Sequence, residues 1–137
     1  MMNPSTQSED QAQWQGDIFA ITLFVDDLEE SKDFYQTVFN LPIYFEDHDS
    51  AVFKFKNLLV NLLKISEADA LIRPAKVGEA GAGNRFVLTL PVENVDIVCE
   101  RLTGLGVALL NGPVDRPWGT RTASFKDPSG HIWEIAH

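Results

Sequence analysis

The sequence is poor in cysteine, in positive charge and in long apolar runs. Its one cysteine, Cys99, cannot form an internal disulfide. That suits a reducing compartment, so a cytoplasmic location is expected. Ile97 and Val98 beside it suggest a thiol packed in a helix. Eleven Lys and Arg stand against 20 Asp and Glu, for a net charge of -9. Nucleic acid and anionic membrane surfaces both need clustered basic groups, so neither is an expected partner. Neutral or cationic ligands fit the charge better. No stretch approaches the roughly 18 apolar residues of a membrane span. Residues 1–16, "MMNPSTQSEDQAQWQG", have neither a basic start nor an apolar run, so no signal peptide is expected there. They read as a disordered N-terminal tail, with Trp14 available to dock.

What is present is a sizeable apolar fraction, 45% of 137 residues, and an internal repeat. "TLFVDDL" begins at Thr22 and "TLPVENV" at Thr89. An apolar strand-like run precedes each copy, "IFAI" and then "RFVL", and a helix-like run follows each. The first helix spans 28–39, with Leu28, Ser31, Phe34, Tyr35, Val38 and Phe39 on one face. Asp27 is its N-cap, with Glu30 three residues on, and Asn40 and Pro42 stop it. The second runs from Val95 to Leu105, capped by Asn94, with Val95, Val98, Leu102 and Leu105 inward and Gly104 and Gly106 ending it.

Three strands follow each helix. They are "PIYFE", "AVFKF" and "LLVNLLKI" in the first half, then "GVALL", "TRTASF" and "HIWEIA". The halves are therefore two βαβββ modules, 17–65 and 84–137, joined by a Gly- and Ala-rich linker or lid at 66–83. The fold class is α+β: two modules forming a curled, open mixed sheet with a central cleft.

Strand residues alternate faces. Phe19, Ile21, Leu23 and Val25 should pack on the first helix, and Phe86, Leu88 and Leu90 on the second. Ile18, Ala20, Thr22 and Phe24 then point away, as do Arg85, Val87 and Thr89. The last strands of the halves pair Asn61 with Glu134, each a polar residue among bulky apolar ones. A pseudo-two-fold axis would make Ala20, Asn61, Val87 and Glu134 equivalent around a shared hollow.

The doubled strand-helix-three-strand unit, the acidic pair opening the first helix and the closing "DPSGHIWEI" resemble the vicinal oxygen chelate superfamily. That group includes glyoxalase I, extradiol dioxygenases and bleomycin-resistance proteins. The likeness covers about 17–137 and implies paired βαβββ modules, usually in a homodimer. In the family's metal enzymes a His or Glu at each of the four equivalent positions holds a metal. Here Ala20 and Val87 carry no donor, Asn61 is a neutral amide, and only Glu134 is a carboxylate. A transition metal usually takes three or four protein ligands, so no metal and no cofactor are expected. His48 sits in a turn, His131 falls on the opposite strand face from Glu134, and His137 is the last residue.

Glu134 is then either a buried carboxylate satisfied by Arg85, Arg121 or Asn61, or an acceptor facing a ligand pocket. Phe24, Tyr44, Phe45, Phe53, Phe55, Trp118 and Trp133 supply flat surfaces that stack on ligands or fill a core. "RPWGTR" sets Trp118 between Pro117 and Gly119, flanked by Arg116 and Arg121. It is similar to a stretch in the metal-free bleomycin-resistance proteins, a branch that sequesters cationic drugs at a dimer interface. The expected function is metal-independent binding of an aromatic or cationic small molecule, with Glu134, Asn61, Trp118, Arg121, Phe53, Phe55, Thr22 and Thr89 at the site and no catalytic residue. The alternative is a metal-dependent lyase, isomerase or dioxygenase with ligands relocated to positions such as His131 or His137. A subunit interaction module with a vestigial pocket is a third possibility.

Overall fold

A computed structural model describes residues 16–137; Trp14 and nearly all of the N-terminal tail lie outside the described residues. The elements run β1 (Ala20–Val25), α1 (Leu28–Val38), β2 (Phe45–Glu46), β3 (Ser50–Lys54), β4 (Leu59–Lys64) and α2 (Ile65–Ile72). Then come β5 (Leu88–Pro91), α3 (Val95–Gly104), β6 (Leu109–Asp115), β7 (Arg121–Lys126) and β8 (Ile132–Ala136). The strands form two four-stranded sheets, ordered β1-β4-β3-β2 and β5-β8-β7-β6. In each, the first strand runs parallel to the last and the remaining pairs are antiparallel. The fold is α+β, built from the two βαβββ modules that the repeat announces.

Local chemistry sets the helix ends. The Asp27 carboxylate accepts from the Glu30 N–H at 3.0 Å and starts α1. The Asn94 side chain accepts from the Ile97 N–H at 3.1 Å and starts α3. Asn40, past the end of α1, takes the left-handed φ of 53° that the amide side chain tolerates. α2 is a departure from the sequence reading, which left its residues in the linker. It is eight residues long and has no side-chain cap, so no start signal marks it. Its hold on the fold is Ala68, fully buried.

One core serves both modules. Tyr35 of α1 is 5.6 Å from the Phe53 ring in the first sheet and 6.0 Å from Trp133 in the second. Its hydroxyl donates to Asp127 at 2.8 Å and accepts from the Trp133 indole N–H at 3.0 Å. Arg101 of α3 donates to the Thr37 and Val38 carbonyls at the end of α1, at 2.8 and 2.5 Å. These bonds satisfy groups that a helix C-terminus leaves open.

Two expected core residues are not in it. Phe19 is 78% exposed and Phe86 is also exposed. Both precede the first strand of their module, and the buried stripe starts only at Ile21 and Leu88. "PIYFE" shortens to two strand residues. "GVALL" gives way to a strand that starts at Leu109 and runs on through Gly112 and Pro113, with register shifts against β7.

Candidate functional site

Register decides which side chains share a face. In the first sheet Thr22 lies opposite Asn61, and Asn61 opposite Val52. In the second, Thr89 lies opposite Glu134, Glu134 opposite Ser124, and Ser124 opposite Asn111. The second sheet thus carries a row of four polar side chains across all four strands. It lies on the face away from Trp133, Ile135, Ala123 and Phe125. The two modules match residue by residue here, because Thr22–Asn61 and Thr89–Glu134 occupy equivalent places in the parallel pair.

They differ in satisfaction. Thr89 Oγ1 donates to Glu134 Oε1 at 2.9 Å. Asn61 Oδ1 is sealed from solvent and, among the described residues, has no hydrogen-bond partner, although Thr22 is its strand neighbour. A buried acceptor without a donor is costly, so Asn61 marks a place where a donor is missing. Neither Asn61 nor an arginine satisfies Glu134; its partner is Thr89.

Three expected site residues face the wrong way. Arg121 shares a face with Ala123 and Phe125, toward the helices. It pairs there with Asp96 of α3 at 2.8 and 2.9 Å and with Asp115 at 3.0 Å. Each partner holds the other charged. The Arg121 hydrogen bonds pull the Asp96 carboxyl below its ordinary value, and the same bonds raise the guanidinium. Phe53 is fully buried and lies opposite Val60, on the face away from Asn61. It has no surface to offer a ligand. Phe55, partly buried, is stacked on Trp133 at the edge of the aromatic core, 5.5 Å between centroids at 19°, and lines the cavity beside the β3–β4 turn instead of the polar row.

The arginine that does reach the polar face is Arg116. Its Nε donates to Thr122 Oγ1 at 2.9 Å and its Nη2 to Asn111 Oδ1 at 2.8 Å. Thr122 lies opposite Ala136, on the Glu134 side of β7. The sequence reading named Arg116 only as a flank of Trp118 and did not single out Ser124, Thr122 or Asn111. Parity counted along "RTASFK" from its pairing with "IWEIA" separates Arg121 from the row. Trp118 stands 71% exposed in the turn from Arg116 to Thr120.

The histidines are occupied or remote. His131 Nδ1 lies 2.9 Å from Asp127 Oδ2, and Asp127 is 5% exposed. Asp127 Oδ1 also accepts from the Ser129 and His131 N–H groups, at 3.0 and 2.9 Å. His137 Nδ1 accepts from the Val95 N–H at 2.9 Å, at the start of α3. His48 is exposed. Ala20 and Val87 are exposed and bring no donor atoms. Among the described residues no group of three His, Cys, Asp or Glu side chains is placed to hold an ion. One carboxylate already accepting from Thr89, plus one amide, does not fit the four-ligand metal site of the family.

Cavities open elsewhere. One of about 490 Å³ lies between α1 and the α3–β6 turn, lined by Phe34, Val38 and Leu109 among others. Another of about 400 Å³ lies beside the β3–β4 turn, lined by Phe19, Lys54 and Lys56 among others. Among the described residues no helix is long and apolar enough to cross a membrane.

Comparison with known proteins agrees with this architecture. The protein named "Uncharacterized protein YraH" of Bacillus subtilis (strain 168) is 31% identical over 122 residues, covering 86% of this chain and 95% of that one. The solved structure of a glyoxalase-related enzyme from Fulvimarina pelagi is 27% identical, with a TM-score of 0.77. It covers 88% of this chain and 87% of its own. A glyoxalase/bleomycin resistance protein/dioxygenase from Nocardioides, 22% identical, shares the fold at a TM-score of 0.79 over 96% of this chain and 91% of its own. The family model for the Glyoxalase/Bleomycin resistance protein/Dioxygenase superfamily matches residues 17–135, the span of both modules, and the chain belongs to that superfamily.

Proposed function

We propose that this chain is a metal-independent small-molecule-binding protein of its superfamily, working in the cytosol, whose ligand lies on the Thr22–Asn61 and Thr89–Glu134 faces. The observation that carries this reading is the half-buried Glu134 carboxylate, held by Thr89 in a polar row and matched in the first module by the equivalent Thr22–Asn61 pair. A ligand donor group gains a hydrogen bond to Glu134, and a cation gains further from its charge and from the acidic chain. Trp118, exposed in the β6–β7 turn, offers a stacking surface for an aromatic ring.

A second copy completes the site in this reading. β1 and β5 are the outer strands of their sheets and pair on one side only among the described residues. Exposed Ile18, Phe19, Phe86 and Val87 flank those edges. Open edges bordered by apolar side chains invite pairing with another chain. A homodimer that joined them would set the Asn61 face of one copy beside the Glu134 face of the other.

The test combines metal analysis with a melting experiment. Protein purified without chelator is expected to carry only substoichiometric metal. Benzylamine at a hundredfold excess over its Kd should stabilise the wild type by about 2.7 kcal/mol and leave Glu134→Gln nearly unmoved. Sedimentation velocity should show a dimer. Stoichiometric zinc, nickel, manganese or iron that disappears in Glu134→Ala overturns the reading in favour of a metal-dependent lyase, isomerase or dioxygenase. A monomer with no melting shift leaves the interaction-module alternative.

A further inference from the structure

Arg116 is held by neutral hydrogen-bond acceptors, not by an ion pair, among the described residues. Two neutral oxygens on the Glu134 side of the second sheet fix the guanidinium, Thr122 Oγ1 to Nε and Asn111 Oδ1 to Nη2. Among the described residues no carboxylate pairs with it, although acidic side chains outnumber basic ones in the chain. Its neighbour Asp115 is committed to Arg121 on the helix side. The residue is half-buried, so its charge is only partly returned to water. Nη1 makes no hydrogen bond among the described residues, and its two donors remain unspent.

A guanidinium oriented by neutral acceptors and short of a counter-ion is a preorganised receptor for a planar oxyanion, which it binds through paired N–H donors. We propose that Arg116 is the oxyanion anchor of the ligand site, and that the ligand carries a carboxylate at this end. The inference rests on the proposed ligand face and narrows its chemistry. Asn111 and Glu134 lie two strands apart, so at a strand spacing of about 4.8 Å they are about 10 Å apart across the sheet. Thr122, the other partner of the guanidinium, lies on β7 beside the Glu134 strand, yet among the described residues no ion pair joins Glu134 to Arg116. The separation suits a small molecule with a donor or ammonium group at the Glu134 end and an acid at the Arg116 end. The exposed Trp118 follows Arg116 by two residues, in the same turn, so an aromatic group at the acid end of the ligand has a ring in the same turn to meet.

The experiment follows the arginine Nε–Hε resonances of the full chain by NMR while phenylacetate is added, with inorganic phosphate and benzylamine titrated separately. Phenylacetate should shift the Arg116 resonance saturably. Arg116→Gln should weaken phenylacetate binding at least about tenfold, and Arg116→Lys should restore only part of it, because an ammonium lacks the paired donors. An equal response to phosphate widens the class from carboxylates to oxyanions and overturns the carboxylate assignment. If Arg116 stays still up to saturating phenylacetate, or if Arg116→Gln binds phenylacetate as the wild type does, the anchor is overturned. A benzylamine response at the backbone amides of Thr89 and Glu134, read in its separate titration, would leave the broader ligand-face reading standing. Absence of both responses sinks the two together.

Discussion

Tyr35 shows how one side chain ties the two halves of the repeat together. It sits on α1 of the first module, yet both partners of its hydroxyl, Asp127 and Trp133, belong to the second. Burial, reinforced by the Asp127 charge, pushes its phenol far above the ordinary value, so it stays neutral and donates. Tyr35→Phe keeps the ring packing and strands a buried carboxylate and an indole N–H, each short of one partner. The expected cost is about 2 kcal/mol, read as a lower urea midpoint with an unchanged slope. No change in midpoint would mean that water replaces the hydroxyl. Glu134 was legible at this scale as a polar residue in an apolar strand, and the repeat paired it with Asn61. That Thr89 satisfies one and nothing satisfies the other was not legible, because a side chain's partner depends on rotamers the sequence does not state.

At the scale of elements, periodicity located the two long helices and their caps, since Asp27 and Asn94 act locally on an N–H three residues away. α2 escaped because it is short, uncapped and embedded in Gly- and Ala-rich sequence, and Ala68 is its buried residue among those described. Strand parity explains the misplaced arginine. Arg121 alternates with Thr122, and a single step along β7 puts it against α3 instead of on the polar face. The Arg121–Asp96 bridge across β7 and α3 has a testable acid dependence. Arg121 holds the Asp96 carboxyl below its unfolded value, so the bridge's contribution is present above the ordinary carboxylate range, about pH 4, and is lost as pH falls through it. Arg121→Gln should therefore be less stable than wild type at pH 7, and the gap should close as the solution is acidified toward pH 2. A gap of constant size would show that packing, not charge, accounts for the effect. Both side chains are partly exposed, so added salt should narrow the gap as well.

On the scale of the whole molecule, the aromatic cluster of Tyr35, Phe39, Phe53, Phe55 and Trp133 joins residues of both modules in one core. Modules that share a core lose it together. Tryptophan fluorescence and far-ultraviolet circular dichroism should therefore report one coincident unfolding transition, and two separated transitions would show that each βαβββ unit stands alone. The sequence by itself determined the duplicated modules, the helix caps and the isolation of Glu134 as a carboxylate among apolar neighbours. All of these follow from local periodicity and from residue types that act over three or four positions. Only the tertiary structure decided that Arg116 rather than Arg121 joins the polar row, that Phe53 and Phe55 belong to the core, and that Asn61 lacks a donor. Those outcomes depend on which strands pair in which register, and pairing between residues tens of positions apart is set by the packing of the whole chain.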